Sequence, residues 1–198
     1  QLDDDLTRVR YLTLTEAGRI GEDTGNTRLI SYANGYMGEL YEDRKQYADA
    51  LKLTRKAIFF AQQGDFPEIM YLWQWQAGRL FQARGQVEDA LDAYKNAIST
   101  LNPIRQERFR GFRSKVNFFD ETIKPVYLGL ADLLLRQAET AQASERERRL
   151  LEARASMERL KTAELEDFFA DECLRVSQRQ GAGLERTPPH TAVLYPIV

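Results

Sequence analysis

The sequence predicts an all-α protein built from antiparallel helix hairpins stacked side by side. Three observations carry that expectation. A motif recurs at a fixed interval: Tyr36-Met37-Gly38-Glu39-Leu40-Tyr41, followed by Ala50 and Ala57, returns as Gln76-Ala77-Gly78-Arg79-Leu80-Phe81, followed by Ala90 and Ala97, each match displaced by 40 positions. Apolar residues fall at three- and four-residue intervals, the period of a helix with one buried face. Glycines stand where those periodic runs stop, as helix C-termini favour.

The first helix is expected near residues 4–22, with Asp3, Asp4 and Asp5 at its start, where carboxylates meet the positive end of the helix dipole. Ala17 lies 40 positions before Ala57, so residues 1–25 read as the second helix of an earlier unit, and the chain is expected to begin halfway through a repeat. Gly25 stops that helix and Asn26 is a candidate N-cap for the next. Helices near 27–44 and 46–62 form a repeat over 26–63, which Gly64 closes and Asp65 follows as a second candidate N-cap. Helices near 67–84 and 87–101, separated at Gly85, form a repeat over 66–102. In both, a glycine in the first helix and an alanine early in the second let two backbones approach closely. The later alanine lets the next unit nest, and Tyr41 or Phe81 fills the gap one turn on.

Asn102-Pro103 is expected to end the regular pattern, because proline removes a backbone donor. The stretch Arg105, Arg108, Arg110, Arg113 and Lys115, with Phe109 and Phe112 interleaved, is basic and aromatic. Helical periodicity resumes at Thr122, where Val126, Tyr127, Leu130, Ala131, Leu133, Leu134 and Leu135 make a surface apolar enough to require burial. Ser144 and Glu147 have capping-box spacing and open a further helix in which Leu150, Leu151, Met157 and Leu160 are expected to point inward. Glu145 with Arg149, and Arg148 with Glu152, are four apart and support its exposed face. These helices read as a degenerate third repeat over 122–174, whose last part, Leu165 to Leu174, is a short amphipathic helix able to cap the array. The array thus covers 1–176. Residues 177–198 read as a polar Gly/Pro linker and the start of a missing downstream domain, since the run Ala192 to Val198 is β-prone and has no partner strand.

Composition removes several function classes. With 28 Lys and Arg against 30 Asp and Glu, the net charge of −2 gives no general attraction to nucleic acid or to an anionic membrane. One cysteine and one histidine are too few for a disulfide or a transition-metal centre, so neither a metal nor another cofactor is expected. No apolar run approaches the roughly 20 residues that span a bilayer. A cytoplasmic location is the expectation, and an upstream targeting segment is compatible with a chain that starts without methionine.

The Gly/aromatic/Ala/Ala pattern resembles tetratricopeptide repeats, lengthened by a few residues per unit. That resemblance implies a right-handed superhelix of helix hairpins. The chain departs from the family where Asn34 and Gln74 replace the usual first-helix tryptophan, and where Thr54 replaces an aromatic that Tyr94 retains. A second resemblance rests on Pro125-Val126-Tyr127, Leu130 to Leu134, Leu160-Lys161, Ala163-Glu164-Leu165, Phe168-Phe169, Asp171 with Cys173, and the tail Ala192-Val193-Leu194-Tyr195-Pro196. This succession is similar to bacterial CHAT proteins, which carry tetratricopeptide repeats ahead of a caspase-like peptidase domain. It implies a downstream peptidase, with a His/Cys dyad outside this sequence, that the array serves by sensing or recruiting.

Among possible sites, the surface lined by the first helices of each hairpin is the expected partner groove. With Gly38 and Gly78 as register marks, helical steps place Tyr32, Glu39, Glu42 and Asp43 there from one repeat, and Trp75, Arg79 and Gln82 from the next. Trp73 and Trp75 cannot share a face, so one is core and the other a candidate anchor of the kind that dominates peptide interfaces. Gly35, Glu39, Trp75 and Arg79 do not match the lysine and asparagine of tetratricopeptide domains that clamp a terminal carboxylate. Cys173 and His190 lie around a linker with no third orienting group, and in caspase-like enzymes the histidine precedes the cysteine, so catalysis is not expected. The function expected is protein–protein interaction, a scaffold or regulatory module binding a partner segment. The alternative is a nucleic-acid adaptor using the basic segment 105–115.

Overall fold

The computed structural model describes residues 2–108 and 119–168, with side-chain surroundings for 5–104 and 119–166. Seven α-helices and one short π-helical turn are found there, and no strand occurs among the described residues. The helices are α1 (Leu2–Thr24), α2 (Thr27–Asp43), α3 (Tyr47–Gln63), α4 (Pro67–Ala83), α5 (Val87–Arg108), α6 (Lys124–Thr140) and α7 (Ala143–Phe168). The π-helical turn Phe119–Ile123 leads into α6. Neighbours in sequence are neighbours in space: α2 packs on α3, α4 on α5 and α6 on α7, while α1, α3 and α5 pack in turn on the first helix of the following pair. The first helices also touch one another, α2 with α4 and α4 with α6.

The 40-residue interval is visible in the helix bounds, since Thr27–Asp43 is followed by Pro67–Ala83, and Tyr47 begins a helix as Val87 does. Small side chains sit where helices meet. Ala50, Ala57, Ala90 and Ala97 are 0% exposed. A methyl group on Gly38 would come within 2.9 Å of Thr54 Oγ1 and 3.2 Å of the Ala50 carbonyl oxygen, and one on Gly78 within 3.0 Å of the Tyr94 ring. The hairpins therefore close over these glycines because no side chain holds them apart. Tyr94 meets a second close approach from Gly129 of α6, where a methyl would come within 2.6 Å of its ring. The apolar surface of α6 is buried as expected, Leu135 partly, against Leu91, Ile98, Leu101, Ala153, Met157 and Leu160.

Local chemistry explains the helix ends. Asn26 caps α2 by accepting a hydrogen bond from the Leu29 N–H at 3.0 Å, and Gly25 and Gly85 take φ of 65° and 72° at the preceding stops. Asp65 does not cap α4. It takes the left-handed conformation itself, φ 52°, so the stop falls one residue after Gly64, and Phe66 precedes Pro67 without a side-chain cap. Gly64 is needed for a different reason: a methyl there would collide with the Phe66 ring.

Four further expectations are corrected. Asn102-Pro103 does not end the helix, and α5 continues to Arg108. Leu101 and Ile104 on either side of the proline are both buried, and Asn102 Oδ1 accepts a 2.6 Å hydrogen bond from the Tyr127 hydroxyl, which anchors the passage to α6. Ser144 is not a cap, because α7 already begins at Ala143. Leu150 and Leu151 are 45% and 49% exposed, whereas Arg149 is 6% exposed and pairs with Glu88 of α5 and with Glu145, both at 2.7 Å. The stripe Ala153, Ser156, Leu160 and Ala163 sets the buried face of α7, and extending it back by helical steps brings Arg149 rather than the leucines inward. Leu165 to Phe168 continue α7 instead of opening a separate helix.

Arg105 and Arg108 lie on the α5 backbone. Arg110, Arg113, Lys115, Cys173, His190 and the segment 177–198 lie outside the described residues.

Candidate functional site: the groove between α2 and α4

Helices α2 and α4 run as first members of consecutive hairpins, and Gly35 allows them to touch. A methyl on Gly35 would stand 2.5 Å from Trp73 Cδ2 and closer still to Cε2 and Cζ2 of the same ring. Trp73 is accordingly core, 3% exposed, with its indole N–H donating to Ser31 Oγ at 3.0 Å. Ser31 in turn donates to the Ala57 carbonyl at 2.8 Å, so one hydroxyl links α4 through α2 to α3. Trp75 is the half-exposed partner.

Above Trp73 the aromatic packing continues. Tyr32 and Tyr36 stack with centroids 5.9 Å apart, and both meet Trp73 edge-on, at 6.3 Å and 5.2 Å. Burial raises both phenol pKa values; a lesser contribution for Tyr36 comes from the Glu39 carboxylate. Beside them lies an open cavity of about 270 Å³ lined by Tyr36, Glu39, Leu72, Trp73, Trp75, Gln76 and Arg79.

Charge in the groove is arranged unequally. The Arg79 guanidinium makes two 2.8 Å hydrogen bonds to the Glu42 carboxylate and lies 4.5 Å from the Trp75 ring centroid. That bidentate geometry fixes the arginine. Glu39, on the cavity wall, makes no ion pair among the described residues, and Asp43 is exposed one turn further along α2. Gln76 is 1% exposed. Its amide nitrogen donates to the Gly35 carbonyl at 3.3 Å, while its side-chain oxygen has no hydrogen-bond partner.

Of the residues that register placed in the groove, Glu39, Trp75 and Arg79 therefore line one cavity, and Glu42 holds Arg79 in position. Tyr32 stacks behind Tyr36. Gln82 lies further along α4 and accepts a 3.2 Å hydrogen bond from the Tyr94 hydroxyl, whose pKa burial pushes up to about 12. Tyr36, Leu72 and Gln76 line the cavity and were not in that set. Helical stepping reaches them, because Tyr36 lies four residues after Tyr32 and three before Glu39, and Leu72 three before Trp75. No group of three or more His, Cys, Asp or Glu placed to hold a metal ion occurs among the described residues. No helix there is long and apolar enough to cross a membrane.

Comparison of the chain with family models, with curated proteins and with solved structures found no match.

Proposed function

We propose that this chain is a protein-interaction module of tetratricopeptide type that takes a segment of a partner protein in the groove between α2 and α4. The observation that carries the reading is the cavity itself, where two aromatic side chains, Tyr36 and Trp75, remain partly open to solvent beside a charge pair already locked in place. Aromatic anchors on a prearranged surface lose little conformational freedom on binding, which is why they dominate the energetics of peptide interfaces. Repetition of hairpins at a 40-residue interval supports the same reading, because stacked first helices present one continuous surface to an extended or helical segment. The module is a scaffold rather than an enzyme. Its sequence resemblance to CHAT proteins extends the proposal to a caspase-like peptidase domain in cis, whose activity or targeting the bound segment would set.

The test is a selection of random peptides of about twelve residues displayed against the 198-residue chain, with Trp75→Ala and Tyr36→Ala as counter-targets of unchanged helix content. Binders that bind the parent chain at least about tenfold more tightly than either variant are expected. A selection that returns only peptides indifferent to both substitutions would refute the groove as the functional surface.

A further inference from the structure

Resting on that reading, we infer that the α2/α4 cavity recognises a lysine or arginine side chain of the partner segment. Four features of the same pocket point to a cation. Its walls are aromatic: Tyr36, 40% exposed, Trp73 and Trp75 all line it, and a cation is drawn to the negative face of such rings. Its uncompensated charge is negative. Arg79 and Glu42 neutralise each other at 2.8 Å, which leaves Glu39 on the wall, with the exposed Asp43 one turn further along α2. The potential from Glu39 reaches the aromatic wall, since its carboxylate contributes to holding the Tyr36 hydroxyl in the protonated form.

The third feature is a buried acceptor without a donor. Gln76 Oε1 has no hydrogen-bond partner although the side chain is 1% exposed and lines the cavity. Rotating the amide by half a turn does not cure this, because the oxygen would then face the Gly35 carbonyl, which now accepts from Nε2. That oxygen is closed off from solvent, so a donor reaches it only if the Gln76 side chain turns toward the cavity on binding; an ammonium or guanidinium, which brings donors and no acceptor, then relieves the cost of leaving it unpaired. The fourth feature is apolar: Leu72 and the indole rings offer the surface along which the methylene stem of a lysine or arginine packs.

An acidic partner residue is the opposite possibility, since Arg79 also lines the cavity. It would share Arg79 with Glu42, whose bidentate pair occupies Nε and Nη2, and would lie close to the carboxylates of both Glu42 and Glu39. Like-charge proximity opposes it.

The experiment uses peptides recovered from the selection above. The inference expects a lysine or arginine at one constant position among groove-dependent binders. Replacing it with norleucine in the synthetic peptide weakens binding by about tenfold or more while leaving the protein untouched. Glu39→Gln weakens the cationic peptide to a similar extent, has little effect on the norleucine peptide, and leaves helix content unchanged. Groove-dependent binders that lack a constant cation, or that carry a constant Asp or Glu, overturn the inference and leave the groove reading standing. Equal affinity of the cationic and norleucine peptides does the same. A selection with no groove-dependent binder overturns both.

Discussion

Two glycine-to-alanine substitutions, both within helices, should change stability in opposite directions. Gly35 of α2 faces the Trp73 ring, and an added methyl would meet Cδ2 at 2.5 Å and two further ring atoms more closely. The ring has little room to yield, because its N–H is bound to Ser31 and two tyrosines meet it edge-on. Overpacking of this kind costs about 1–3 kcal/mol, and the upper half of that range applies where the neighbour is a pinned aromatic. Alanine recovers about 1 kcal/mol of helix propensity, so Gly35→Ala should lose about 1–2 kcal/mol net. Gly18 of α1 is the contrast. A methyl there would sit 3.7 Å from Ala33 Cβ, an ordinary van der Waals contact, so propensity is unopposed and Gly18→Ala should gain about 0.5–1 kcal/mol. Urea unfolding followed by helix circular dichroism should place the two midpoints about 1 M apart on opposite sides of the parent, with similar slopes. A Gly35→Ala protein as stable as the parent, or two variants shifted in the same direction, would refute the claim that α2 and α4 meet backbone to indole.

Ser31→Ala should cost about 1–3 kcal/mol, because it leaves the buried Trp73 N–H and the Ala57 carbonyl without their shared partner, and a red-shifted or quenched tryptophan emission should accompany the loss. Asn26→Ala should cost about 1 kcal/mol by removing the cap on α2, read as a lower thermal midpoint, with Asn26→Ser recovering most of it. Tyr94 links stability to alkaline pH. Its folded pKa of about 12 lies above the unfolded value near 10, so its contribution is complete below about pH 10 and is lost as pH rises through 12. The magnitude is on the order of 2–3 kcal/mol, and Tyr94→Phe should flatten that part of the unfolding profile; parallel profiles would exclude it. Tyr32, Tyr36 and Tyr71, whose phenols are also raised by burial, contribute to the slope that remains.

How much of this was legible beforehand depended on the range of the interaction. The hairpins and their interval could be read because the signals are local: Asn26 bonds three residues ahead, Gly25 and Gly85 take a backbone conformation that glycine favours, and Ala50 and Ala90 need only be small. The same local reading failed at Pro103, where the burial of Leu101 and Ile104 and the Tyr127 hydrogen bond to Asn102 outweigh a lost backbone donor. It failed again on α7, where the burial of Ala153, Ser156, Leu160 and Ala163 fixes the inward face and brings Arg149, rather than Leu150, to pair with Glu88, 61 positions away. In the groove, register alone brought Glu39, Trp75 and Arg79 to one surface. Periodicity could not say which tryptophan lies inside, that Glu42 across the groove neutralises Arg79, or that Gln76 keeps an unpaired oxygen. The sequence by itself determined which segments are helical and where they pack closely, because those properties belong to a few neighbouring residues. Only the tertiary structure decided the charge and shape of the groove, because they depend on how two helices 40 residues apart are rotated against each other, and a change of one helical step there exchanges a buried side chain for an exposed one.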